Sequence, residues 1–403
     1  MALAQNPGIV TNGLVFYYDM NNRQKSWIGK PVTNQFAAPT PYNSSGDVSF
    51  AINGTGTFRR VYEGTYGGYT IKPTDIVYRY NLSTTGGCHY HGNSASIGSG
   101  QYATFIFDYY ISQDANNYPS TNYLANFENY GGGALSGSVA AANSYKGIWQ
   151  TATFTSGPTG SSGTQAMFLY PGACGGDLAT SGYVLFKNPQ VIFSSSSNDI
   201  APFVNGTRSN TQSLLDLTGQ NTITATSLTY AADGTFSFNG SSDYLTIPNT
   251  TLGNGNIEWT VSCWMKTTTT TNSLGGGSVL SNISGGPVYS MMGVNNGKIV
   301  YWTYQNSNWA QKLGTGKTVN DGNWHMLTWV NYSNYTMDMY VDGLLDSNVA
   351  NSTSGNNNPV DVIGRSWAAY FPGSISSLSR YSRALTVNEV FINFSAQRGL
   401  YGV

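Results

Sequence analysis

Charge is scarce in this chain. Only 9% of its 403 residues are Asp, Glu, Lys or Arg, where ordinary soluble domains carry roughly 25%. The 18 basic and 19 acidic residues leave a formal net charge of −1 and no basic run, so there is no electrostatic footing for nucleic acid or anionic lipid. No apolar run approaches the roughly 18 residues of a membrane helix, and no membrane insertion is expected. Glutamate occurs four times, at Glu63, Glu128, Glu258 and Glu389. The start, "MALAQNPGIVTNG", lacks the basic and apolar regions of a secretory signal. With Met1 retained, the expectation is a chain made in the cytoplasm without an export signal.

Three cysteines are too few for a disulfide framework. Cys88 and Cys174 both sit among glycines, in turns, where they either pair or stay apart. Cys263 alternates within "WTVSCWM" and reads as a small core residue. His89 and His91 share one face of an extended segment beside Cys88. A metal site there with Cys174 would lack a further ligand, so the segment reads as a polar loop and no metal is expected.

What is abundant is Gly (48), Tyr (29) and other aromatics, which together reach 14%. Tyr, Trp and Thr suit pleated, half-buried strands, and Gly and Asn suit tight turns. The second half shows the pattern best. In "IEWTVSCWMKT", Trp259, Val261, Cys263 and Met265 alternate with Thr260, Ser262, Trp264 and Lys266. "KIVYWTYQ", "NWHMLTWVNY" and "TMDMYVDGLLDS" follow as strands, separated by turns such as "NNG", "NDGN" and "VDG". Strands at this spacing predict an antiparallel sandwich. The end of the chain differs. Val387, Val390, Phe391 and Phe394 recur at helical spacing. Thr386 and Glu389 stand three apart, as in a capping box. The residue pattern is therefore all-β and antiparallel, with a short C-terminal α-helix.

The run "FNGSSDYLTIP", "TVSCWMKT", "DGNWHMLTWV", "MYVDGLLD" and "GSISSLSRYSRALTVNEV" resembles a laminin-G-like, concanavalin A-type jelly roll over about the last 190 residues. The ending "RALTVNEVFINFSAQRGLYG" resembles in particular such modules in tailed-bacteriophage virion proteins. In those modules an opening strand like "NGLVFYYDMNNRQKSW" is closely followed by a "DLTG" segment. Here "SLLDLTGQ" comes about 190 residues later. Residues 1–31 plus 207–403 are accordingly expected to form one discontinuous lectin-like domain, with 32–206 inserted. Two tandem sandwiches split near residue 205 are the other arrangement. The segment 32–206 resembles the galactose-binding-like jelly rolls of carbohydrate-binding modules. Together the resemblances imply a fold class of all-β, two antiparallel β-sandwich (jelly-roll) domains, with a short C-terminal α-helix covering an end or edge of the sandwich.

Glycoside hydrolysis generally needs two carboxyl groups a fixed distance apart. The resembling glucanases carry an acidic cluster alternating on one strand, and this chain has none. "YVDGLLDS" reads as a hairpin, and His325 as a packed or edge histidine. The expectation is no enzyme. Some laminin-G-like modules bind calcium, but no ligand aspartates match here, so no cofactor is expected. Binding remains. Flat aromatic faces with Asn, Asp and backbone hydrogen bonds hold sugar rings. Trp309 in "QNSNWAQK" and Trp367 and Tyr370 in "GRSWAAYFPG" lie in polar loops, while Trp302 and Tyr304 share a strand face. These five are the candidate carbohydrate contacts, against packing under loops or on a neighbouring subunit.

The expected role is a non-enzymatic phage virion accessory, a capsid decoration or a fibre or appendage, adhering to cell-surface or environmental polysaccharide. Its partners would be other virion proteins and copies of itself. A carbohydrate-active enzyme or its binding module, and a secreted bacterial lectin or adhesin, are the alternatives.

Overall fold

The computed structural model describes residues 8–36, 47–48, 50–52, 58–82, 88–115, 123–129, 135–140, 145–169, 181–197, 199–230, 236–253, 256–270, 277–283, 289–305, 308–351, 359–367 and 369–403. Cys174, and so any pairing with Cys88, lies outside the described residues. The chain divides into two compact units, Met1–Pro31 with Ser209–Val403, and Val32–Arg208. Thr207 and Arg208 belong to the second unit because they pair, antiparallel, with Thr33 and Val32. The chain thus enters and leaves that unit on adjacent strands.

The discontinuous unit is built on two antiparallel sheets. One runs Thr229–Tyr230, Phe236–Asn239, Pro372–Tyr381, Trp259–Lys266, Trp324–Asn331, Thr336–Val341 and Leu344–Ala350. The opening strand Leu14–Asp19 also pairs with Pro372–Tyr381. The other runs Thr224–Thr226, Tyr244–Thr251, Pro359–Ile363, Ser278–Ser281, Tyr289–Asn295, Lys298–Gln305 and Asn308–Leu313. The core between them follows the alternation. Val261, Cys263 and Met265 of the first sheet meet Leu245, Met292 and Tyr301 of the second. Burial pushes the Cys263 thiol well above its ordinary pKa, which leaves it inert. Turns fall where Asn-Gly and Asp-Gly stand: Asn296-Gly297 and Asp342-Gly343 both adopt positive φ at both positions, the geometry of two-residue hairpins.

The helix Val387–Tyr401 has the capping box Thr386/Glu389, and Arg383 clamps Glu389 through two hydrogen bonds at 2.9 and 2.6 Å. It lies on a sheet face, not on an end or edge as expected. Trp264, on a central strand, stacks against Tyr401 at 4.2 Å and Phe394 at 5.7 Å. The buried face also departs from the expected one. Val390 and Phe394 are inside, but Val387 and Phe391 are 55% and 50% exposed. Asn393 and Gln397 take their place. Gln397 accepts from the Trp264 indole and donates to the Tyr17 hydroxyl, both at 3.0 Å. Asn393 accepts from the Val10 amide and donates to the Tyr381 hydroxyl. The sheet face beneath offers polar tips on Trp and Tyr, so buried amides fit there where aliphatic side chains would leave those tips unpaired.

The unit Val32–Arg208 also pairs two antiparallel sheets. One contains Gln150–Ser156, Tyr102–Ile111, Tyr183–Ser194, Val77–Asn81, Phe58–Val61 and Asp47–Val48; the other contains Gly137–Ala140, Tyr123–Asn129, Gly163–Leu169, Cys88–Ile97 and Phe50–Ile52. Its core is aromatic, with Phe105 touching the rings of Phe36, Phe107, Phe127 and Phe154.

Candidate functional site

The loop from Gly364 to Phe371 joins strands of the two sheets of the discontinuous unit. It starts at a position only glycine suits: φ is +79°, and an added Cβ would lie 2.4 Å from the Phe238 ring. The Gly364 amide donates to the Val279 carbonyl, and the Phe371 amide returns to the Gly364 carbonyl at 2.8 Å. Between them Ser366 is fully buried and closes a turn with Ala369, its amide donating to the Ala369 carbonyl at 2.7 Å. The tight turn pushes Trp367 outward, where it is 50% exposed.

Arg365 lies two residues before it, bridged to Tyr370 through the backbone. Its guanidinium carbon is 4.9 Å from the centroids of both Tyr244 and Tyr370. The two tyrosine rings are 6.2 Å apart and tilted by 53°. Arg365 Nε is buried and meets no hydrogen-bond partner among the described residues. A guanidinium resting against two aromatic rings, on the same loop as a half-exposed indole, supplies donors and flat faces of the kind that hold a sugar ring.

The other candidates fall elsewhere. Trp302 points to the second face of its strand, packed with Met291 and Val300 and only 3% exposed. A ring so covered offers no face to a ligand, and its role is packing. Tyr304 is half-buried and pairs through its backbone with Tyr289 and Trp309. Trp309 lies on the strand Asn308–Leu313, and its side chain lies outside the described residues. Of the five, Trp367 and Tyr370 share the loop Gly364–Phe371, and Tyr370 lies against Tyr244. Sequence reasoning missed Tyr244 and Arg365, because their neighbours are set by the pairing of Tyr244–Thr251 with Pro359–Ile363, about 120 residues away in sequence.

Several acidic groups of this unit are engaged in structure. Asp338 accepts from the hydroxyls of Tyr332 and Tyr340 at 2.9 and 3.0 Å. His325, 4% exposed, lies between Asp342 and Asp321, with Nδ1 at 2.8 Å from one and Nε2 at 3.1 Å from the other. Lys317 adds a third contact to Asp342 at 2.7 Å. With both ring nitrogens occupied, His325 is a packed, ion-paired histidine. Among the described residues no group of three or more His, Cys, Asp or Glu is arranged to hold a metal ion.

Residues 238–391 match the Laminin_G_3 family, described as the concanavalin A-like lectin/glucanases superfamily. The discontinuous unit has a concanavalin A-like jelly-roll fold. The matched stretch holds the candidate loop and most of both sheets of this lectin-like unit. Similar solved structures include the receptor binding domain of botulinum neurotoxin D, at 15% identity over 47% of this chain and 51% of that one, with a TM-score of 0.36. Domain 4 of AbnA, a GH43 extracellular arabinanase from Geobacillus stearothermophilus, was solved in complex with arabinotriose. It matches at 21% identity over 44% of this chain and 90% of that one, with a TM-score of 0.34. The chain spans about half the length of the toxin domains it matches. No curated protein matches it.

Proposed function

We propose that this chain is a non-catalytic glycan-binding accessory of a bacteriophage virion, contacting saccharide through Trp367, Arg365, Tyr370 and Tyr244. The observation that carries the binding role is Arg365 set against two tyrosine rings on the loop that exposes Trp367. The lectin-type fold around that loop supports it. The virion assignment is supported by the likeness of the C-terminal segment to phage modules. In this reading 32–208 is a second, carbohydrate-module-like sandwich. The protein assembles with virion proteins and copies of itself, needs no cofactor, and adheres without turning its ligand over.

Two measurements test the proposal. On a glycan array, wild-type protein is expected to retain defined saccharides that Trp367→Ala fails to hold; equal retention by both would sink the site. Mass spectrometry of purified virions is expected to find the chain, and its absence there would sink the virion role. The family description also covers glucanases, so reducing-end release from any glycan on the panel would replace adhesion with hydrolysis.

A further inference from the structure

The outer face of the sheet containing Tyr102–Ile111, Tyr183–Ser194 and Val77–Asn81 is aromatic where a water-facing sheet is ordinarily polar. Tyr110, Tyr183 and Lys187 alternate outward from these strands, away from the core residues Tyr109, Val184 and Phe186. The short hairpin of Thr65–Tyr66 and Tyr69–Thr70, together with Trp149, folds over one end of this face.

The rings are held in place by their own polar tips. The Trp149 indole donates to the Tyr66 carbonyl at 2.7 Å, and the Tyr69 hydroxyl donates to Asp75 at 2.7 Å. Lys187 Nζ lies 3.9 Å from the Tyr69 ring centroid and is held there by Asp108 at 3.0 Å. Tyr66, Tyr69, Trp149 and Tyr183 nonetheless stay half-buried, with part of each ring reaching solvent. Gly67 lets the hairpin sit this close: its φ is +54°, and a Cβ would meet the Tyr110 ring at 2.6 Å. This is a rigid platform whose ordering has already been met by folding.

Two of the carboxylates at this face are already engaged. Lys187 has Asp108, and Asp75 is buried and taken up by Tyr69 and the Lys72 amide. Arg79 lies over Tyr183 with its guanidinium carbon 4.0 Å from the ring centroid, and among the described residues only its Nε is bonded, to Asn81 at 2.9 Å. No carboxylate pairs with Arg79 among the described residues. A planar guanidinium held against a ring, with no partner on its outer N–H groups among the described residues, matches a carboxylate in its own plane.

The geometry points to this face as a second saccharide site, one that takes an acidic sugar, a uronic or sialic acid, with the carboxylate on Arg79 and the ring over the adjoining aromatic surface. It is independent of the loop Gly364–Phe371. A neutral glycan would leave Arg79 without its counter-charge.

The test uses the full chain carrying Trp367→Ala, which removes the other proposed site. Titration calorimetry is run with a galacturonate hexamer against its methyl ester, and with 3′-sialyllactose against lactose. At least one acidic probe is expected to bind tenfold or more tighter than its neutral partner, with affinity falling as salt rises. Arg79→Gln should weaken that binding at least tenfold and flatten the salt dependence, Arg79→Lys should restore part of it, and thermal melting should be unchanged in both. The inference is overturned if neither acidic probe binds the Trp367→Ala chain, or if Arg79→Gln binds as tightly as its parent. Concentration-dependent self-association that Trp149→Ala abolishes would overturn it too, in favour of a second copy as the occupant.

Discussion

The backbone amide of Tyr17 donates to the carboxylate of Asp216 at 3.0 Å, across 199 residues of sequence. The Leu217 amide returns the contact, donating to the Tyr17 carbonyl at 2.7 Å. Asp216 also accepts from the Thr218 amide and hydroxyl and from the backbone and side-chain N–H groups of Asn221. This one buried carboxylate ties the opening strand to the "DLTG" turn. Asp216→Ala would strand several donors and should destabilise the lectin-like unit by about 3 kcal/mol. Urea denaturation followed by tryptophan fluorescence measures it. A loss below about 1 kcal/mol would mean the segments are held by other contacts.

The helix separates two phenylalanines that look alike in sequence. Phe394 is 8% exposed and stacks near Trp264, whereas Phe391 is 50% exposed. Phe394→Ala should cost about 3 kcal/mol, and Phe391→Ala no more than about 0.5 kcal/mol. Similar losses for the two would show the helix turned about its axis. Thr386→Ala, which removes the cap, should cost about 1 kcal/mol.

A similar contrast holds between Trp302 and Trp367. Trp302→Ala should lower stability by about 3–5 kcal/mol, since it opens a cavity beside Met291 and Val300. Trp367→Ala should leave the melting temperature nearly unchanged and act on saccharide affinity alone. Differential scanning calorimetry of both variants distinguishes packing from contact.

His325 makes stability depend on pH. Burial works against its charged form, but hydrogen bonding and charge from Asp342, then from Asp321, outweigh it, and its pKa lies above the ordinary 6.5. Burial would raise Asp342, yet hydrogen bonds from His325, Lys317 and the Met326 amide hold it below the usual range. Asp321 is lowered to about 2, first by the Asn323 amide. For a histidine raised on folding, the stabilisation is complete below its unfolded pKa and is lost as pH rises through the folded one. For the aspartates it is present above their unfolded pKa and is lost as pH falls through the folded values. Melting temperature should therefore fall as pH rises above about 6.5, and His325→Gln should flatten that fall. Parallel curves for the two proteins would remove His325 as the cause.

Local chemistry was enough for much of this architecture. Alternation in "WTVSCWM" set which residues of that strand face the core, because successive strand side chains point to opposite sides. Asn-Gly and Asp-Gly marked hairpins, because few other pairs tolerate positive φ twice. Thr386 and Glu389 marked the start of the helix, because a cap is made within four residues. Each of these signals is contained in a short window of chain.

What joins distant windows was decided only by the fold. Thr260, Ser262, Trp264 and Lys266 share the second face of "IEWTVSCWMKT", and Trp264 on it is buried by a helix more than 120 residues away. That same face turned the helix so that Asn393 and Gln397, not Val387 and Phe391, point inward. Trp302 is buried although its strand pattern left its face open, and Arg365 meets Tyr244 only through the sheet. The platform of Tyr69, Trp149, Tyr183 and Arg79 collects residues spread over more than 100 positions, none of them distinctive alone. By itself the sequence determined period, turns and caps, since these rest on bonds between near neighbours. Tertiary structure decided burial and juxtaposition, since β-pairing brings together side chains whose separation along the chain carries no trace of their contact.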